Sequence, residues 1–128
     1  MSRSLFFVLT AAMEAGAGLA FLVAPSLIIS LLFTSSRIQA AVAMGRLAGA
    51  ALLSLGGACW WAREDGGSAA SRGLVSGLLI YNAAVVALVL FGNFGSPGAL
   101  LWAIALLHGA MVIWCVRLLR GQPVSVRV

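Results

Sequence analysis

The longest part of this chain without a formally charged side chain covers residues 73–116. The turn-forming segment GNFGSPG at residues 92–98 divides it into two apolar stretches. Each has roughly the 20 residues that an α-helix needs to cross a hydrocarbon core about 30 Å thick. Because lipid offers backbone groups no water to bond, both stretches are predicted to be α-helices.

Two similar stretches precede this region, which gives four predicted membrane spans. Pro25 ends the first, and the polar cluster that begins at Arg63 ends the second. The connections are short, so neighbouring helices should run antiparallel. We therefore predict an all-α membrane protein, a four-transmembrane-helix antiparallel bundle that forms a single domain over residues 1–128. The predicted spans are residues 5–24, 40–62, 73–91 and 98–116.

A shorter apolar segment, SLIISLLF at residues 26–33, lies between the first two spans. It is too short to cross a bilayer, and we expect it to form a short interfacial helix. Ser36 is followed three residues later by Gln39, which fits a capping box and predicts that the next helix begins at Ser36.

The composition excludes an ordinary water-soluble enzyme. Hydrophobic residues make up 62% of the 128 residues and charged residues 9%, whereas a soluble domain is typically about half apolar and a quarter charged. All the basic residues are arginines, and the formal net charge is +5. In a membrane chain we interpret them as orientation signals and contacts to anionic lipid, not as a surface for nucleic acid.

The positions of the arginines predict the orientation of the chain. Arg37 lies on the outer side of the predicted spans, and Arg46 lies within a span. Since cytoplasmic loops carry the excess of basic residues, we expect a multi-pass protein of the inner (cytoplasmic) membrane with both termini in the cytoplasm. The arginines on the predicted cytoplasmic side are Arg3, Arg63, Arg72, Arg117, Arg120 and Arg127.

Every predicted span carries a strongly polar side chain in its interior: Glu14 in the first, Arg46 in the second, Tyr81 and Asn82 in the third, and His108 in the fourth. An ionisable group at the bilayer centre costs about 2.5–3.5 kcal/mol even on a lenient scale, so these side chains should face one another. The pattern predicts one polar layer, in which we expect an ion pair of Glu14 and Arg46. Asn82 or His108 would take the remaining hydrogen bonds.

Two interpretations of this layer stay open. In one, the buried pair only fixes the register of the helices. In the other, Glu14 and His108 flank a cavity that holds a proton, an ion or the polar head of a lipophilic molecule. The five residues are therefore the candidates for a ligand-binding or proton-linked site.

The remaining chemistry-bearing residues point to no catalytic centre. Cys59 and Cys115 both lie close to the predicted cytoplasmic ends of their spans, on the side of the membrane where disulfides are rare. We interpret them as small packing residues, with a redox role as the alternative. The sequence has no metal-ligand spacing, phosphate loop or nucleophile arrangement. We predict no catalytic residue, metal or cofactor.

Small residues recur at a spacing of four, which lets helix backbones approach closely in lipid. We expect close contacts at these positions. The sets are Ala12, Gly16 and Ala20 in the first span, Gly45 and Gly49 in the second, and Gly73 and Gly77 in the third.

Two resemblances to known families follow from these segments. A first helix with an acidic residue, then GLAFLVAP at residues 18–25, a short apolar segment, GRLAGAALLSLGGACWWAR at residues 45–63 and two further helices resemble the small DoxX-like membrane proteins. That resemblance implies a four-helix bundle that serves as an accessory partner of a membrane-bound oxidoreductase. Four short helices with a membrane-embedded glutamate in the first, here Glu14, also resemble the small multidrug resistance transporters.

From these observations we expect a non-catalytic accessory subunit or a bundle that binds a lipophilic ligand. Its partners would be the lipid bilayer, another membrane protein or a second copy, and a lipophilic small molecule. The alternative is a proton-coupled transporter of the multidrug type, in which Glu14 would exchange a proton for a lipophilic cation.

Overall fold

The computed structural model describes residues 2–33, 38–92 and 99–121, with the side chains of residues 38–40 excepted. These residues are almost entirely α-helical, which confirms the predicted all-α fold. The predicted capping box of Ser36 and Gln39, together with Arg37 and Arg127, lies outside the described side chains. The helices are α1 (Arg3–Val23), α2 (Pro25–Leu32), α3 (Ile38–Ala62), α4 (Ala69–Phe91) and α5 (Ala99–Arg120).

Four of the helices are long and apolar enough to cross a membrane: α1, α4, α5 and the part of α3 from Ala41 to Ala62. Their outer surface carries large apolar side chains, including Phe91 (86% exposed), Trp61 (83%) and Val23 (81%). Apolar patches of this extent are rare on soluble monomers, whereas lipid covers them without penalty. The chain is therefore a multi-pass membrane protein.

The helical conformation is interrupted between α1 and α2 at Ala24. The following residue is Pro25, which lacks an N–H and disfavours the helical conformation of the residue before it. Ala24 accordingly has φ −132° and ψ 54°, and Pro25 is the first residue of α2. The short helix packs against α3 and contacts α1 and α5, as predicted for a separate helix between the first two spans.

The long helices pack mainly as two pairs, α1 against α3 and α4 against α5. Buried side chains form one cluster in the half of the bundle that contains the start of α1 and the end of α5, and a second cluster near α2. We call the first half the arginine-rich end, since it holds Arg3, Arg63, Arg72, Arg117 and Arg120. The first cluster comprises Phe6, Phe7, Ala11, Cys59, Val75, Leu78, Met111 and Cys115, and the second Leu32, Val89, Leu101 and Ala105.

The backbones of α1 and α3 come close enough to require glycine. A Cβ atom on Gly18 would lie 2.6 Å from the backbone nitrogen of Leu53, and one on Gly56 would lie 2.8 Å from the backbone nitrogen of Ala15. Backbone atoms cannot move aside as the end of a flexible side chain can. Small residues at this helix crossing therefore set the distance between α1 and α3.

The predicted small-residue contacts are confirmed only in part. Gly49 packs against α1, and Gly45 packs against the side chains of Ile29, Phe21 and Pro25. In contrast, a Cβ atom on Gly16, Gly73 or Gly77 would meet no atom within 4 Å, so the predictions for these three glycines were wrong. A spacing of four identifies one face of a helix but not whether a neighbour covers that face.

The loop of residues 63–68 joins α3 to α4 and is organised by Asp65. Its carboxylate accepts hydrogen bonds from the Ser68 hydroxyl at 2.6 Å and from the backbone N–H groups of Gly67 and Ser68 at 2.9 Å. Gly67 has φ 114°, a conformation that suits glycine. The bond from the Ser68 hydroxyl, followed by the two backbone bonds, holds the pKa of Asp65 below its usual value. The same hydroxyl accepts from the N–H of Ser71 and caps α4.

Candidate functional site

Glu14 of α1 is buried at the middle of the bundle, with 4% of its surface exposed. The hydroxyl of Tyr81 on α4 donates to its Oε2 at 3.3 Å, which is longer than a typical O–H···O bond. Among the described residues, no cationic side chain contacts the Glu14 carboxyl. The ion pair found in this part of the chain joins Arg63 and Glu64. The buried carboxyl is thus held by a single weak hydrogen bond between α1 and α4.

Asn82 and His108 form a second polar pair, between α4 and α5. The Asn82 Nδ2 donates to the carbonyl oxygen of Leu78 at 2.6 Å, which fixes the orientation of the amide. Its Oδ1 then faces the Nδ1 of His108 at 2.7 Å. Because Oδ1 can only accept, Nδ1 carries the proton, and the Nε2 of a neutral His108 keeps a free lone pair.

Ring packing joins the two polar pairs. The rings of Tyr81 and His108 meet edge to face, with centroids 5.5 Å apart and an interplanar angle of 82°. Glu14, Tyr81, Asn82 and His108 thus form one connected group between the two apolar clusters, contributed by α1, α4 and α5. We call this group the polar layer, and its predicted membership is confirmed for these four residues.

Arg46 does not belong to the polar layer, and the predicted ion pair with Glu14 is wrong. The structure leaves Arg46 exposed on the outer surface of α3, while the adjacent Gly45 is buried against α2 and α1. Successive residues of a helix point about 100° apart, so burying Gly45 turns Arg46 away from the interior. Within the described residues Arg46 has no ion pair or hydrogen-bond partner.

Cys59 and Cys115 are both fully buried in the apolar cluster at the arginine-rich end. They are free thiols on α3 and α5, with no disulfide between them. Among the described residues, no group of three or more His, Cys, Asp and Glu side chains could hold a metal ion. Both cysteines pack as small apolar residues, the role predicted for them.

A groove of about 510 Å³ runs along the outside of the α1–α3 contact. Its walls are almost wholly apolar and built mainly from small residues, because the glycine contacts bring the two helices close together. Trp60, which is 49% exposed, lies at its arginine-rich end. Its lining includes Ala11, Ala12 and Ala15 of α1 and Leu53, Gly57 and Trp60 of α3. We call it the α1–α3 groove.

A contact between the first turns of α1 and α4 was not predicted from the sequence. Arg3 Nη1 donates to the hydroxyl of Ser71 at 3.0 Å, and Ser71 is 2% exposed. The Nη2 of Arg3 is buried with no hydrogen-bond partner. Ser71 precedes the predicted third span, which begins at residue 73, and a serine in a connecting loop is an ordinary residue, so no signal marked it. The contact gives Arg3 a packing role in addition to its charge.

Comparison with known proteins finds no match to this chain among family models, curated protein sequences or solved structures.

Proposed function

We propose that this chain is a membrane-embedded accessory subunit without catalysis of its own, and that it binds another membrane protein through the outer face of α3. The observation that carries the proposal is the exposure of Arg46 within a membrane-spanning helix. Arg46 lies five residues inside the span that begins at Ala41, a depth of about 7 Å. Its long side chain can reach toward the interface, but a guanidinium on a lipid-facing surface is still costly.

A carboxylate on a neighbouring protein would remove that cost. Arginine holds a carboxylate with two parallel, charge-assisted hydrogen bonds, and the low dielectric of the membrane strengthens them. The polar layer cannot supply this partner, because Glu14 is buried on a different face of the bundle. The acidic partner of Arg46 therefore comes from outside the described chain.

The resemblance to DoxX-like proteins adds a class of partner, a membrane-bound oxidoreductase. We also propose that the arginine-rich end lies in the cytoplasm and that the membrane is the inner one. The support is the positive-inside rule applied to Arg3, Arg63, Arg72, Arg117 and Arg120, which the fold gathers at one end of the bundle.

Copurification after mild solubilisation tests the proposal. The wild-type chain is expected to carry a stoichiometric membrane protein, and Arg46→Gln is expected to lose it while keeping its own yield and thermal stability. Arg72→Gln is the matched control, because it removes an arginine at the arginine-rich end instead. A wild-type chain that purifies alone, or an Arg46→Gln variant that keeps its partner, would contradict the proposal.

A second candidate function is proton-coupled transport at Glu14. The observation in its favour is that Arg46 does not neutralise the Glu14 carboxyl, which leaves that group free to exchange a proton for a cation. Adding tetraphenylphosphonium to the solubilised protein would then release protons, and Glu14→Gln would abolish the release. The accessory subunit would give no proton release in either form.

A further inference from the structure

Arg46 lies in line with the α1–α3 groove. Along α3, the residues Arg46, Ala50, Leu53, Gly57 and Trp60 follow one another at spacings of four, three, four and three, which defines one face of a helix. Leu53, Gly57 and Trp60 line the groove, and Arg46 and Ala50 are exposed beyond it. The face spans about 21 Å from Arg46 to Trp60.

The residues that line the groove are suited to binding a transmembrane helix. Ala12 of α1 is exposed, and a Cβ atom on Gly57 of α3 would meet nothing within 4 Å. Small residues with open space above them allow another backbone to approach, which is how helices associate in lipid. An acyl chain needs apolar walls but gains nothing from access to the backbone.

A second copy of this chain, inserted in the membrane in the same orientation, cannot supply a carboxylate to Arg46. Its acidic residues are Glu14, Glu64 and Asp65. Glu14 is buried, and Glu64 and Asp65 follow the far end of α3, at least about 24 Å from Arg46 along the helix axis. Self-association through this face would bring no carboxylate to Arg46. The charge favours a different protein.

We infer that the α1–α3 groove binds one transmembrane helix of a partner protein, and that this helix carries an Asp or Glu at the depth of Arg46. The inference rests on the proposed accessory function and identifies the surface and the partner chemistry. The partner backbone passes Ala12 and Gly57 closely, and its carboxylate accepts a pair of hydrogen bonds from the Arg46 guanidinium.

Site-specific photo-crosslinking in native membranes tests this inference. The photoreactive amino acid p-benzoylphenylalanine replaces Trp60 or Leu53 in the groove, and Leu88 or Leu106 on the exposed surfaces of α4 and α5 as controls. The groove positions are expected to crosslink to a single apolar segment of one partner that contains an Asp or Glu. The control positions should give lipid adducts. Peptide mapping of the adducts by mass spectrometry identifies the segment.

Substitutions at Arg46 and Gly57 then test the chemistry of this contact. Arg46→Gln is expected to reduce the groove crosslink at least about tenfold, the order expected for a lost charge-assisted hydrogen bond. Reversing both charges, with Arg46→Glu and the mapped partner carboxylate changed to arginine, should restore it. Gly57→Leu fills the groove and should abolish the crosslink, whereas Gly77→Leu, at a glycine of α4 that also faces open space, should not.

The outcomes separate the inference from the proposed function. A partner that crosslinks through a segment without a carboxylate overturns the groove inference and leaves the accessory function standing. A partner that crosslinks only at the control positions overturns the groove inference and the α3 interface, and leaves an accessory role through another face. Groove adducts with lipid or with a second copy of this chain also overturn it. If no photoreactive position captures a protein in chains that retain Arg46, both are overturned.

Discussion

Gly18 of α1 and Gly49 of α3 face each other where the backbones of the two helices meet. A Cβ atom on Gly49 would lie 2.8 Å from the carbonyl oxygen of Gly18, and one on Gly18 would lie 2.7 Å from the carbonyl oxygen of Gly49. This mutual contact holds α1 and α3 together and turns Arg46 outward. The packing of two glycines therefore decides which polar groups the bundle encloses.

The first prediction is that Gly18→Ala destabilises the bundle by about 1–3 kcal/mol, the usual cost of overpacking. The added methyl group meets backbone atoms that can move only by separating the helices. Gly16→Ala is the matched control in the same helix, since nothing lies within 4 Å of its Cβ position. Unfolding in mixed micelles measures both. Equal stabilities of the two variants would show that the close contact does not exist.

Much of the fold follows from the sequence because lipid imposes a simple rule. Apolar length identifies each span, and Pro25 ends the first because proline cannot continue a backbone hydrogen-bond ladder. Depth could also be predicted, since counting residues along a helix places Glu14, Asn82 and His108 at a similar level. The confirmed part of the polar layer is the part that depends on depth.

The rotation of α3 could not be predicted. Small residues occur on several faces of α3, so neither hydrophobic periodicity nor small-residue spacing selects the face that meets α1. Gly45 and Arg46 are sequence neighbours, yet one is buried and the other exposed. The contacts of Gly18, Gly49 and Gly56 with the opposite backbone are what set this rotation, and they are visible only in the folded structure. The ion pair of Glu14 with Arg46 was predicted from the depth of the two residues alone. The prediction was wrong because depth does not determine which way Arg46 faces.

The second prediction concerns Arg46 in the isolated protein. Arg46→Leu is expected to change the free energy of unfolding by less than about 0.5 kcal/mol, as for a surface substitution. Breaking a buried ion pair would instead cost about 3–5 kcal/mol. Unfolding of the purified monomer in micelles distinguishes the two. A sharp loss of folded yield that Glu14→Gln rescues would restore the ion pair and remove the basis for the docking proposal.

The third prediction concerns the hydrogen bond between Tyr81 and Glu14. Tyr81→Phe is expected to cost about 0.6 kcal/mol, the average for a hydrogen bond between membrane helices. The bond is long, so a larger effect is not expected. A double-mutant cycle with Glu14→Leu isolates the coupling between the two side chains. Additive effects of the two substitutions would mean that the hydroxyl and the carboxyl do not interact in the folded protein.

The fourth prediction concerns the hydrogen bond between Asn82 and His108 in the apolar interior. His108→Phe leaves the Asn82 oxygen without a donor and is expected to cost about 1–3 kcal/mol. Combining it with Asn82→Leu removes both polar groups and should recover much of that loss. The ¹⁵N chemical shifts of the histidine ring provide an independent check, with a protonated Nδ1 and an unprotonated Nε2 at neutral pH. The opposite tautomer would contradict the hydrogen-bond geometry.

The last prediction concerns the pH dependence of the loop before α4. The pKa of Asp65 is held below its ordinary value of 3.8, chiefly by the hydrogen bond from the Ser68 hydroxyl. A depressed pKa means that the folded loop favours the carboxylate, so its stabilisation is complete above the ordinary value and is lost as the pH falls through the lowered one. The amide proton shifts of Gly67 and Ser68 should therefore titrate together below pH 3.8. Asp65→Asn should abolish this titration, whereas Glu64→Gln, at an exposed neighbour, should leave it unchanged. Titration of these amides at or above the ordinary value would contradict the structure of the loop.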